Sequence, residues 1–192
     1  MPLHFSRRID GTWLPRTSFV SAMTPLSPAT LHLCIDMQRL FSTEGPWPTP
    51  WMERVLPVVA EIAERAPERT VFTRFIPPYR AEDMPGTWRG YYERWCEATR
   101  ERLDPNLLEL MPPLQRLVPP ATILDKPVYS AFAGHKLREL VSERGIDTLL
   151  ITGSETDMCV LATVLGQGVL STAGVGEREV RGGTGRLGGL RP

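Results

Sequence analysis

An apolar run that passes directly into a helical segment is the feature that most constrains this fold. Residues 148–152, with the sequence TLLIT, have the length and β-branched content of a buried parallel strand. Gly153 permits a tight turn after the run, and residues 160–165 can continue as a helix. Because parallel strands are joined by helical crossovers, this junction predicts an α/β fold.

The same alternation of short apolar runs with helical patterns recurs along the chain. Predicted strands are residues 31–36, 70–75, 121–126 and 147–152, and predicted helices are residues 51–65, 103–120 and 136–143. Pro57 would kink the first of these helices or mark its true start, and Gly145 suits the C-cap of the last. We therefore expect a three-layer α/β/α domain around a parallel Rossmann-like sheet with right-handed crossovers.

Cys159 lies where the last predicted strand turns into its helix. Thr156 is a candidate N-cap, which would put Cys159 at the third helical position, inside the first turn. Unpaired N–H groups and the helix dipole favour an anion there, so the thiol is expected to lose its proton below its free pKa of about 8.5. The alternative is a buried cysteine that packs as a small hydrophobic side chain.

An acid and a lysine stand at the ends of two other predicted strands. The run LHLCI is followed by Asp36, and the run ILD is followed by Lys126. Since ligands bind at the carboxyl ends of the strands in an open parallel sheet, Asp36, Lys126 and Cys159 are expected to converge. An ordinary ion pair between Asp36 and Lys126 is the alternative interpretation.

The three segments occur in this order together with the element ETDMCVLAT at residues 155–163, and in this the chain resembles the isochorismatase-like cysteine hydrolase family. The resemblance implies that Asp36, Lys126 and Cys159 form a catalytic triad. True isochorismatases lack the nucleophilic cysteine, so its presence favours hydrolysis of a C–N bond. The implied substrate is a small amide or ureido compound, cleaved through a thioester intermediate.

The resemblance also implies an oxyanion hole. It places a cis peptide bond four residues before the cysteine, here between Ser154 and Glu155. That bond would aim the backbone N–H of Glu155, together with that of Cys159, at the developing oxyanion. A non-proline cis bond costs about 3 to 4 kcal/mol and persists mainly at functional sites.

Residues 88–95, WRGYYERW, concentrate aromatic and arginine side chains. Trp88 and Tyr92 could supply stacking surfaces to a pocket, and Arg89 and Arg94 could clamp a substrate carboxylate. These four residues are the candidate substrate-binding set. The segment could equally pack a helix onto the sheet or form a subunit contact, so homo-oligomer formation stays open.

No metal or other cofactor is expected. The histidines His4, His32 and His135 have no ligand spacing. The nicotinamidase branch of the family carries an Asp-x-His metal element after its second strand, whereas residues 75–80 of this chain read FIPPYR and contain no histidine. The resemblance therefore implies catalysis without a metal ion.

Composition points to one domain with a small-molecule substrate. The chain has 192 residues, 42% of them hydrophobic, which suffices for one core. Its 22 basic and 22 acidic residues give no electrostatic footprint for nucleic acid or for an anionic membrane. Three widely spaced cysteines favour a reducing, cytoplasmic location, and no apolar run reaches the ~20 residues of a membrane span.

Both ends of the chain depart from this pattern. Residues 1–29 lack a sustained period and are expected to be a disordered extension, followed by the hydrolase domain at residues 30–167. Residues 168–192 are rich in glycine and arginine where the family adds further strands, so a disordered tail and missing C-terminal strands are predicted. A shifted reading frame would produce such a change. The alternative function is therefore an impaired or inactive family member that acts at most as a binding or assembly module.

Overall fold

The computed structural model describes residues 27–167 and two short strands before them. These strands, β1 (Phe5–Arg7) and β2 (Trp13–Pro15), pair antiparallel within the predicted N-terminal extension. Strands of three residues are too short to show an alternating pattern, which is why the sequence does not indicate them. The rest of the extension up to residue 26 and the predicted tail, residues 168–192, lie outside the described residues.

A four-stranded parallel sheet forms the centre of the domain. Its strands are β3 (Thr30–Ile35), β4 (Thr70–Phe75), β5 (Thr122–Lys126) and β6 (Thr148–Gly153). They lie in the order β5-β4-β3-β6, so the direction of winding reverses after β5 and the chain returns to the other side of β3. This confirms the predicted fold class. It also puts the topological switch point, where open α/β sheets bind ligands, between β3 and β6.

The structure confirms three predicted helices, those that begin at residues 52, 136 and 161, and adds one at residues 87–94. The described helices are α1 (Met52–Arg65), α2 (Thr87–Arg94), α3 (Pro112–Gln115), α4 (Lys136–Glu143) and α5 (Leu161–Gln167). Helix α1 runs through Pro57, and Gly145, just beyond α4, has the left-handed φ of 58° of a C-cap glycine. The single helix predicted for residues 103–120 is instead a 3₁₀ turn (Pro105–Leu108) followed by α3, because its prolines lack the N–H that a continuous helix needs.

Each face of the sheet carries its own hydrophobic core. Side chains alternate along β3, so Cys34 packs with Phe72 and with α1, whereas Leu33 packs with Leu137 of α4. Helices α1 and α3 cover one face and α4 covers the other, which is the predicted three-layer arrangement. In the part of the chain that the structure describes, no helix is both long and apolar enough to cross a membrane.

Candidate active site

Asp36 and Lys126 meet at the carboxyl ends of β3 and β5. Lys126 Nζ lies 2.6 Å from Asp36 Oδ2, and both side chains are buried. Thr73 belongs to the intervening strand β4, and its hydroxyl donates to Asp36 Oδ1 at 2.6 Å and accepts from the Asp36 N–H at 3.1 Å. Lys126 also donates to the carbonyl of Val128 at 3.1 Å. These bonds fix the orientation of the Asp36 carboxylate.

The backbone of Asp36 is itself unusual. Its φ of 50° is a conformation that residues with a Cβ seldom adopt. Such strain persists where the surrounding contacts determine the conformation, and it occurs preferentially at functional sites. The hydrogen bond between the Asp36 N–H and Thr73 Oγ1 is one of the contacts that hold it.

Two polar residues near the site were not singled out by the sequence patterns. Thr73 is one, and the buried Gln38 is the other. The Gln38 amide bonds both the N–H and the carbonyl of Phe75, which joins the loop after β3 to the end of β4. Each of these contacts spans 37 positions in the chain, and sequence spacing does not reveal contacts of that kind.

Cys159 approaches the same end of the sheet from the segment after β6. Residues Thr156–Val160 form a single π-helical turn that leads into α5, and Glu155 takes the N-cap position without a side-chain cap. The prediction of an α-helical first turn capped by Thr156 is therefore wrong. The wider turn is closed by the Val160 N–H, which donates to the Glu155 carbonyl at 3.1 Å. Single π turns of this kind are frequent at functional sites.

The surroundings of the Cys159 thiol raise its pKa. Burial raises its pKa most, the Asp36 carboxylate raises it further, and Lys126 lowers it by a smaller amount. Glu155 Oε2 lies 3.9 Å from the sulfur, and its negative charge also raises this pKa. The predicted lowering of this pKa is wrong, because burial and the neighbouring carboxylate outweigh any attraction of an anion to the helix terminus.

The peptide bond between Ser154 and Glu155 is trans, contrary to what the family resemblance implies. Within the described residues, the cis bonds are Val118–Pro119 and Pro119–Pro120. A trans bond is about 3 kcal/mol more favourable than a cis bond when proline does not follow it. The roles of the Glu155 and Cys159 N–H groups as oxyanion donors stay a prediction.

A cavity of about 460 Å³ lies beside Cys159, a size that suits a small molecule. Half of its lining residues are aromatic. The aromatic side chains of the wall are those of Phe41, Trp47, Phe75, Trp88, Tyr91, Tyr92, Trp95 and Tyr129. The remaining wall residues are Pro46, Pro48, Met84, Pro127, Val128, Glu155, Met158 and Cys159.

Two of the four candidate substrate-binding residues line this cavity. They are Trp88 and Tyr92, and Tyr91 and Trp95 join them from the same stretch of chain. The positions i, i+3, i+4 and i+7 lie on one face of a helix, so this spacing in the sequence already indicates all four. The other aromatic residues of the wall, such as Trp47, come from separate segments, and no regular spacing in the sequence indicates them.

Arg89 and Arg94 do not line the cavity. Both are exposed, because positions one and six residues after Trp88 lie away from the aromatic face of α2. Arg89 donates to the carbonyl of Glu82 at 3.2 Å. The structure thus places neither arginine in the cavity wall, and the carboxylate clamp stays a prediction.

Neither of the other cysteines lines the cavity. Cys34 is fully buried in β3, and burial raises the pKa of its thiol to about 12. Cys96 is half-buried, and its sulfur lies 3.2 Å from Arg102 Nη1. Cys159 is thus the cysteine that a ligand in this cavity could reach.

The described residues contain no group of three or more His, Cys, Asp or Glu side chains that could hold a metal ion. The buried His32 has its two ring nitrogens next to the hydroxyls of Thr70 and Thr152. Catalysis without a metal ion stays a prediction.

In a comparison with known protein families, residues 30–168 match the isochorismatase domain. The chain is 28% identical over 160 residues to the ureidoacrylate amidohydrolase RutB of Methylorubrum extorquens. The alignment covers 71% of this chain and 62% of that protein, so the chain spans less than two thirds of its relative's length.

Solved structures share the fold. A cysteine hydrolase from Pseudomonas syringae pv. phaseolicola superposes with a TM-score of 0.63 at 20% identity, covering 76% of this chain and 70% of that one. The N-carbamoylsarcosine amidase from Thermoplasma acidophilum gives a TM-score of 0.57 at 18% identity, covering 72% of this chain and 75% of that one. At these identities the likeness shows the fold alone.

Proposed function

Since this chain belongs to the isochorismatase family, we propose that it hydrolyses the C–N bond of a small amide or ureido substrate through a cysteine nucleophile. Cys159 is the nucleophile, Asp36 is the base and then the acid, and Lys126 orients the Asp36 carboxylate through its hydrogen bond. The ureidoacrylate amidohydrolase among its relatives and the N-carbamoylsarcosine amidase of similar fold support this reaction class.

The proposed reaction has two halves. Asp36 takes the thiol proton as the Cys159 sulfur attacks the carbonyl carbon and forms the C–S bond. The same proton then passes to the leaving nitrogen as the C–N bond breaks. Water attacks the resulting thioester with Asp36 as base, the C–S bond breaks, and the proton returns to the sulfur. The backbone N–H groups of Glu155 and Cys159 are the proposed donors to the oxyanion.

The buried ion pair of Asp36 and Lys126, whose charges both act on the Cys159 thiol, is the observation that carries this proposal. The two side chains are 1% and 3% exposed, and removing a charge from water costs several kcal/mol per ion. An ordinary ion pair between two strand ends, without a catalytic role, would be expected at the surface of the protein. The charge of Asp36 also acts on the Cys159 thiol, as a base for that thiol must.

Replacing the nucleophile tests the proposal. Cys159→Ala should reduce ammonia release from a panel of small amides and ureas to the background rate, because no other group in the scheme can form the thioester. Its midpoint of thermal unfolding should stay close to the parent's, since a small side chain at a cavity wall is removed.

Cys96→Ala is the matched control, because this cysteine lies outside the cavity wall. It should keep the parent rate. Ammonia release by Cys159→Ala near the parent rate would refute the cysteine mechanism.

A further inference from the structure

Aromatic rings form a connected wall around the cavity. The Tyr91 ring centroid lies 6.5 Å from that of Trp47 and 5.6 Å from that of Trp88. The Trp88 ring is in turn 5.9 Å from that of Tyr129. These contacts are tilted or edge-on rather than parallel stacks, so the rings leave face area to a ligand.

The carboxylate in this wall belongs to Glu155 and lies next to the proposed nucleophile. Its Oε2 is 3.9 Å from Cys159 Sγ. Among the described residues that line the cavity there is no lysine, arginine or histidine. Lys126 is engaged by Asp36 and by the carbonyl of Val128. The described cavity wall therefore offers negative charge and aromatic faces to a ligand, with no cation to balance an anion.

We propose that the substrate is an amide whose side group carries a positive charge on an apolar or aromatic frame, held between Glu155 and the aromatic wall. This inference rests on the proposed function and names its substrate class. The electron-rich face of an aromatic ring attracts a cation, and Glu155 adds a charge-assisted hydrogen bond. A substrate carboxylate in the same place would be repelled by Glu155.

Three ligands of similar size test the effect of charge. They are phenylacetamides that carry a para aminomethyl, methyl or carboxylate group, so that the amide stays constant. Binding to Cys159→Ala is measured at neutral pH from the fluorescence of the cavity tryptophans, which requires no turnover. The cation should bind about tenfold more tightly than the neutral amide, and the anion should bind most weakly.

Glu155→Gln, made in the Cys159→Ala background, separates the carboxylate from the rings. It should lower the preference for the cation over the neutral amide to about threefold, the part that the rings supply. Asp157→Asn in the same background is the matched control, because Asp157 is an exposed acid two positions away that does not line the cavity. It should leave the preference unchanged.

Tighter binding of the carboxylate, failure of all three ligands to bind, or a cation preference that Glu155→Gln does not change would overturn this inference. The proposed hydrolysis would then still be judged by ammonia release from the wider panel. If the three ligands bind in the expected order but the protein with Cys159 intact releases no ammonia from any of them or from the panel, the proposed function fails while the charge preference is supported.

Discussion

The Asp36 carboxylate, the base of the proposed reaction, is fixed by two neighbouring side chains. Lys126 and Thr73 both donate to its carboxylate. Burial raises the pKa of the Cys159 thiol most, and the negative charge of Asp36 raises it further. The residue that acts as base in the proposed reaction therefore also makes the thiol a weaker acid, so attack and proton transfer are expected to occur together.

Asp36→Asn should separate these two effects. Without the carboxylate, and with Lys126 still close, the pKa of the Cys159 thiol should fall, so iodoacetamide should alkylate Cys159 faster at neutral pH. Amide turnover should nevertheless fall by about 100-fold or more, because the base is gone. Mass spectrometry of the Cys159 peptide measures the first effect, and ammonia release measures the second. Slower alkylation or undiminished turnover would contradict the role given to Asp36.

The end of β6 sets where the π turn and its cysteine lie. Gly153 is paired in register with Ile35 of β3. A Cβ atom at Gly153 would lie 2.7 Å from the Ile35 carbonyl oxygen and 2.9 Å from Val160 Cγ2. The strand, its neighbour and the π turn thus approach one another so closely that no side chain fits between them.

Gly153→Ala should lower the free energy of unfolding by about 1 to 3 kcal/mol through overpacking, as measured by urea denaturation. It should also slow turnover, because a small displacement of Cys159 from Asp36 misaligns the reacting groups. Gly90→Ala in α2 is the control: a Cβ there meets nothing within 4 Å, and stability should rise by up to about 1 kcal/mol. Equal stability of the Gly153→Ala protein and the parent would show that the turn can relax.

His32 links three strands of the whole sheet. From β3, its ring nitrogens lie 3.3 Å from Thr70 Oγ1 in β4 and 2.8 Å from Thr152 Oγ1 in β6. Burial lowers the pKa of this histidine from 6.5 to about 4. Protonation of one side chain is thereby coupled to the stability of the entire domain.

The free energy of unfolding should therefore fall as the pH drops from 6.5 towards 4. In this range the unfolded chain binds a proton at His32 that the folded chain does not, so the contribution is complete above the unfolded pKa and is lost on acidification. The loss should reach about 3 kcal/mol. Urea denaturation at a series of pH values measures it. His32→Gln should flatten the slope in this window, and an unchanged slope in that variant would assign the acid sensitivity to other groups.

The strands, most of the helices and the positions of Asp36, Lys126 and Cys159 at strand ends could be predicted from the sequence. Periodicity and strand-end position are local properties, and every parallel strand delivers its last residue to the same edge of the sheet. Helical spacing would also have indicated Tyr91 and Trp95 on the aromatic face of α2, but only Trp88 and Tyr92 were predicted. The helix predicted around α3 was wrong because its prolines interrupt an otherwise helical leucine spacing.

The contacts, burial and pKa values of these residues were decided by the tertiary structure. Asp36 and Lys126 are 90 positions apart, and only folding shows that they touch and that neither meets water. The raised pKa of Cys159, the π turn that carries it and the exposure of Arg89 depend on neighbours from distant segments. The types of the site residues and their positions at strand ends are local properties, so the sequence predicts them. Their pKa values and their exposure depend on burial and on charges from distant segments, so only the tertiary structure determines them.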